Sequence, residues 1–100
     1  MKNLNSSQRS YLKAQAHHLE PVISIGKNGL KEGTCHAIKT ALDARELIKI
    51  KFRNFKEDKQ EISDKIATET LSLIVGIIGH TLILFKENLE SEKQKYRLPE

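Results

Sequence analysis

One hundred residues suffice for one small domain around one modest core, and 38% hydrophobic with 30% charged residues is the balance of a folded chain, not a disordered one. The formal net charge of +4 and the pI near 9.3 point to an anionic partner. Cys35 is the single cysteine, which excludes an internal disulfide, and no apolar stretch approaches the roughly 20 residues that span a bilayer.

Ser6-Ser7 is expected to cap a first helix, with Leu12, Ala16 and Leu19 along one face and Pro21 as its stop. Val22–Ile25 reads as a short strand. It runs into Gly26-Lys27-Asn28-Gly29. A second helix is expected over 31–44 with Cys35, Ile38 and Leu42 as its apolar stripe, although Lys31 is a poor cap and Gly33 weakens the first turn. From Glu46 to Arg53 the chain alternates, setting Ile48, Ile50 and Phe52 on one side and Lys49, Lys51 and Arg53 on the other.

Residues 57–71 predict a third helix, with Ile62, Ile66 and Leu71 inward and Asp58, Glu61, Asp64 and Glu69 outward. Leu73–Ile78 and Thr81–Lys86 predict two strands, and Gly79-His80 between them signals a type II′ hairpin. The order is a helix followed by β-α-β-α-β-β. This is an α/β chain of the α+β two-layer kind with a four-stranded mixed sheet. The strand-helix-strand units suggest parallel pairs, and the hairpin makes the last strand antiparallel. The last two strands are apolar on both faces, so the side away from the crossover helices needs some cover; the first helix is a candidate. Residues 1–88 are expected as one domain and 89–100 as a charged tail that frays, unless Tyr96-Arg97-Leu98-Pro99 docks.

Charge is unevenly distributed. Residues 1–56 carry eleven Lys/Arg against four acids, whereas residues 57–100 carry six against nine. The basic half holds the Gly-x-x-Gly link. Two glycines permit positive φ and close approach, Lys27 supplies charge, and the following helix offers unpaired amides. Such a link can grip a phosphate backbone, as in one RNA-binding fold, or simply turn the chain. Lys49, Lys51 and Arg53 form either a solvated strand face or an RNA contact, and Arg9 and Lys13 share a helix face with the same two readings. His17 either meets phosphate or closes the first helix's last carbonyls.

The sequence gives little support to catalysis. Cys35 and His36 are adjacent and so point about 100° apart on a helix, which does not pair a nucleophile with a base. The four His and one Cys show no metal-ligand spacing, and the Gly-x-x-Gly link lacks the Lys-Ser/Thr ending of a nucleotide-hydrolysing loop. No cofactor is implied. Scarce aromatics argue for recognition of backbone and shape over base stacking.

Taken in order, several segments resemble the CRM domain (chloroplast RNA splicing and ribosome maturation) in its stand-alone bacterial, YhbY-like form. They are Gln8 to Lys13, Ala16 to Val22, Ile25 to Glu32, Ala41 to Lys51 and Ile78 to Lys86, together spanning roughly residues 6–86. The resemblance implies a fold like the C-terminal domain of bacterial translation initiation factor three. It implies RNA binding through the Gly-Lys-x-Gly loop and nearby basic surface, and association with precursors of the large ribosomal subunit. The chain departs from the family pattern at Glu20, Lys31, Gly33, Arg45, His80, Phe85 and Lys86, while the loop is intact.

The expected function is a non-enzymatic RNA-binding protein, cytoplasmic and monomeric, with rRNA and possible ribosomal proteins as partners and no membrane. Its candidate RNA-binding residues are Gly26, Lys27, Asn28, Gly29, Lys31, Lys49, Lys51, Arg53, Arg9, Lys13 and His17. The rival is a protein-binding adaptor on ribosomal or other RNA–protein complexes. It is suggested by the apolar 73–85 segment and the acidic third helix.

Overall fold

The computed structural model describes residues 3–26, 29–54 and 58–100. Helix α1 spans Ser6–Ala16 and strand β1 Ile23–Ile25. Helix α2 (Glu32–Arg45) and strand β2 (Leu47–Phe52) follow, then helix α3 (Lys59–Thr70) and strands β3 (Leu73–Ile78) and β4 (Thr81–Phe85). A short 3-10 turn covers Ser91–Lys93.

Local sequence explains most of the boundaries. Asn5, not Ser6-Ser7, caps α1: its side chain accepts from the Gln8 amide at 2.8 Å, and the Gln8 side chain accepts from the Asn5 amide at 3.1 Å. This reciprocal box satisfies two otherwise orphaned donors. The helix stops at Ala16, well before Pro21, in a turn closed by Leu19 N donating to Ala16 O at 2.9 Å. Lys31 caps α2 without any side-chain hydrogen bond, as its lack of an acceptor dictates.

At the end of α3, Leu71 is not an inward residue. It is 73% exposed and sits at φ +54°, with Ser72 N bonded to Ala67 O, the αL closure usually given to glycine. Gly79 has φ +60° and His80 has no positive φ, the sign pattern of a type II′ turn.

The sheet order is β1-β2-β4-β3. β1 pairs parallel with β2, while β4 pairs antiparallel with both β2 and β3. Only the first strand-helix-strand unit therefore yields a bonded parallel pair. The hairpin folds back and puts β4 between β2 and β3. Composition explains the choice: Leu82, Ile83, Leu84 and Phe85 are all buried, as a central strand covered on both faces requires. β3 takes the edge and carries a bulge between Ile74 and Gly76. The bulge breaks the simple alternation. Ile74 and Ile77 pack toward one face, and Leu73 and Val75 toward the other.

Two cores result. Ile25, Ile48, Ile50, Phe52, Leu82 and Leu84 pack with Ile38 and Leu42 of α2 and Ile66 of α3. On the opposite face Leu47, Val75, Ile83 and Phe85 pack with Leu12 and Ala16 of α1, joined by Leu4, Tyr96 and Leu98. The first helix thus covers the second face, and the α+β frame of sheet and crossover helices is capped from both sides.

The tail does not fray. Glu46, expected to open β2, is instead the cap of α2, at φ +64° and 1% exposed. Its carboxylate accepts from the backbone amides of Asn88 at 2.6 Å and Lys95. Tyr96 then meets Phe85 edge-on with ring centres 6.4 Å apart, and Gln8 donates to Pro99 O at 3.0 Å. Burial, then Glu46 and Tyr11, push the Tyr96 hydroxyl above its ordinary pKa.

Candidate nucleic-acid interface

One end of the sheet gathers the carboxyl ends of β1 and β2, the β3–β4 hairpin and the amino ends of α2 and α3. Backbone bonds tie these parts together: Arg53 N donates to Ile25 O at 2.9 Å and Phe52 N to His80 O at 2.8 Å. In open α/β sheets the carboxyl ends of strands are where ligands dock.

Gly26 and Gly29 bracket a tight turn, with Gly29 N donating to Gly26 O at 3.0 Å and Gly29 at φ +68°. That φ is what demands glycine at 29. At Gly26 the protein itself makes no such demand, since an added Cβ would meet only Asn54 Oδ1 at 4.0 Å. Lys27 and Asn28 lie outside the described residues. Lys31 follows, exposed, at the uncapped start of α2, with the Glu32 carboxylate also in that first turn.

The α1 face of the sheet has three cross-strand rows. Leu47, Phe85 and Leu73 form the first, and Lys49, Ile83 and Gly76 the second. The third is Ser24, Lys51, Thr81 and Ile78, in mutual register across all four strands. Apolar residues of the first two rows lie under α1 and the tail. The third lies beyond them: Ser24 and Lys51 are exposed, Thr81 is half-buried, and Ile78 is 56% exposed.

The predicted basic residues therefore separate. Gly26, Gly29, Lys31, Lys51 and Arg53 share the loop end. Lys13 lies at its border, its stem crossing Gly76 so closely that a Cβ there would come within 2.8 Å of Lys13 Cε. Lys49 is not part of a free stripe with Lys51 and Arg53. Its ammonium donates to Leu19 O at 3.0 Å and His17 O at 3.4 Å, closing carbonyls at the end of α1. His17 stands at that same place, beside the start of β1. From there the strand runs about 13 Å to the glycine turn, at about 3.3 Å per residue. Arg9 lines a groove with Asp64 and Thr68 of α3, at the start of β3, away from the turn.

Three contributors escaped the sequence reading. Asn54 flanks Gly26. Thr81 joins Lys51 only through register. Lys59 donates to Gly79 O and lies 3.3 Å from His80 Nδ1, bracing the hairpin. Lys59 was concealed by the acidic residues around it, Asp58 and Glu61.

The described basic side chains of the loop end are not held in ion pairs, although Glu32, Asp58 and Glu61 stand at the amino ends of α2 and α3 on the same end. Among the described residues, the one ion pair is Lys93 with Glu90 at 3.2 Å, on the tail, and Lys13, Lys31, Lys51 and Arg53 have none. Cys35 is half-buried, and burial followed by Glu69 pushes its thiol above the ordinary value, the opposite of what an activated nucleophile needs. Among the described residues no group of His, Cys, Asp or Glu is placed to hold a metal, and no helix is long and apolar enough to cross a membrane.

The family model of the CRS1/YhbY (CRM) domain matches residues 4–86. The chain belongs to that family. A Haemophilus influenzae relative named RNA-binding protein is 43% identical over 100 residues, covering 99% of this chain and 98% of its own. The Bacillus subtilis probable RNA-binding protein YqeI is 36% identical over 91 residues, covering 90% and 95%. The solution structure of the hypothetical protein SAV1595 from Staphylococcus aureus superposes with a TM-score of 0.79 at 34% identity, covering 96% of this chain and 99% of that one. The superposition agrees with the α+β frame of three helices and a four-stranded mixed sheet.

Proposed function

We propose that this CRM-domain chain is a non-enzymatic RNA-binding protein that associates with rRNA in precursors of the large ribosomal subunit, in the cytoplasm and as a monomer. The observation that carries the reading is the gathering of Lys31, Lys51 and Arg53, none of them ion-paired among the described residues, around a glycine turn, in a family whose relatives are named RNA-binding proteins.

The Gly26–Gly29 turn and the first amides of α2 grip a backbone phosphate, and Lys27 adds its charge to that grip. Lys31, Lys51 and Arg53 supply the surrounding field, Lys13 extends it, and Lys49 and His17 support it from the α1 side. Contacts of this kind neutralise phosphates and release counterions, so binding is salt-sensitive and weakly sequence-selective. Structured rRNA supplies selectivity through shape. The adaptor reading loses its main support, because most apolar residues of 73–85 are spent in the two cores.

The test is sedimentation of lysate on sucrose gradients at low and high salt, for wild type and for Lys27→Glu/Lys51→Glu/Arg53→Glu. Wild type is expected with particles near the large subunit, released by salt and by the charge reversals. A folded wild type that stays at the top at both salts contradicts the ribosomal reading. Cosedimentation that survives the reversals favours a protein contact.

A further inference from the structure

The uncovered third row holds two hydroxyls around one ammonium. Ser24, Lys51 and Thr81 are register partners on β1, β2 and β4, and strand alternation turns all three toward the α1 face. Among the described residues, no hydrogen bond engages the Ser24 or Thr81 hydroxyl, and no carboxylate pairs with Lys51. The row starts two residues before Gly26 and ends at exposed Ile78, beside the Gly79-His80 hairpin. Four strands at about 4.8 Å spacing make it about 14 Å long. Its border with the covered rows is cationic, because Gly76 lets the Lys13 stem cross the sheet.

A lysine donates only, which suits a phosphate oxygen. A serine or threonine hydroxyl both donates and accepts, which suits another hydroxyl. The one group of the ribose-phosphate backbone with that double character, and the one that separates RNA from DNA, is the 2′-hydroxyl. We propose that Ser24-Lys51-Thr81 is a ribose-phosphate subsite that reads 2′-hydroxyls on either side of a phosphate held by Lys51, as a strand leaves the glycine turn and crosses the sheet toward the hairpin. The inference rests on the RNA-binding reading above and adds to it a preference for RNA over DNA with a defined origin.

Fluorescence anisotropy with a labelled RNA hairpin and its all-2′-deoxy counterpart, at one salt concentration, tests this directly. Wild type is expected to prefer the RNA. Ser24→Ala/Thr81→Val should lose about three- to tenfold in RNA affinity per hydroxyl while its DNA affinity stays the same, collapsing the preference. Valine suits a strand and Ser24 is exposed on an edge strand, and unchanged thermal midpoints would confirm folding; if the pair fails to fold, Ser24→Ala alone carries the test with its single-hydroxyl loss. A preference untouched by the substitutions, or a wild type that binds both probes equally, overturns the subsite and leaves RNA binding intact. A wild type that binds neither probe overturns both.

Discussion

Neighbouring residues of β2 meet opposite fates on the two faces of the sheet. Ile48, Ile50 and Phe52 enter a core closed by α2 and α3 along the whole strand. On the other face Leu47 is buried, Lys49 is tied to the end of α1, and Lys51 is exposed. One face is wholly structural. The other changes along its length from core to charged surface, because α1 spans only part of it. A short helix laid across a sheet thus does two things: it completes the fold where it touches and delimits an open row where it stops.

The largest expected effect lies in the structural face. Phe52→Ala should cost about 3–5 kcal/mol, a large part of the roughly 5–15 kcal/mol available to a small domain, read by urea unfolding. A loss under about 1 kcal/mol would mean that α2 and α3 are not packed on the sheet as described. Next comes the tail that closes the other face. Glu46→Gln turns an acceptor of two backbone amides into a group with a donor facing one of them, so about 1–3 kcal/mol should be lost. Limited proteolysis should then cut near Asn88 to Lys95; unchanged protection would contradict the clamp.

The two faces were not equally legible in the sequence. The alternation of residues 46–53 predicted the first core correctly, because period two is a local signal. The order β1-β2-β4-β3 was hidden, since pairing partners are chosen by burial across distant segments. The bulge at Val75 and Gly76 was equally hidden, because a period-two reading assigns Gly76, Ile77 and Ile78 to the wrong faces. Glu46 looked like the first residue of a strand, and only its distant partners in the tail reveal its role. At the loop end the glycines and Lys31 could be found from spacing, and Lys51 and Arg53 from alternation. Thr81 and Lys59 could not, as they reach that end only through topology. Lys49 shows the converse: strand alternation grouped it with Lys51 and Arg53, but the end of α1 claims it.

Smaller effects sharpen the contrast. Leu71→Gly should stabilise the chain by about 1 kcal/mol, because an exposed leucine holds an αL position that glycine occupies freely. A fall in thermal midpoint would show that the Leu71 side chain has an unseen partner. Lys51→Ala should leave stability within about 0.5 kcal/mol and lower the slope of log affinity against log salt by about one unit, whereas Lys49→Ala should cost stability and change that slope less. Equal slopes for the two variants would erase the distinction between the covered and open rows.

The central claim is that RNA is bound by the loop end of the sheet and not by net charge alone. The direct measurement compares two double reversals of equal charge, Lys51→Glu/Arg53→Glu at the loop end and Arg45→Glu/Lys93→Glu at the far end of α2 and on the tail. Binding to a labelled rRNA fragment would be followed from about 50 to about 200 mM salt. The loop-end pair should abolish measurable binding, and the distant pair should leave affinity within about twofold and the salt slope intact. Equal losses from both pairs would contradict the account.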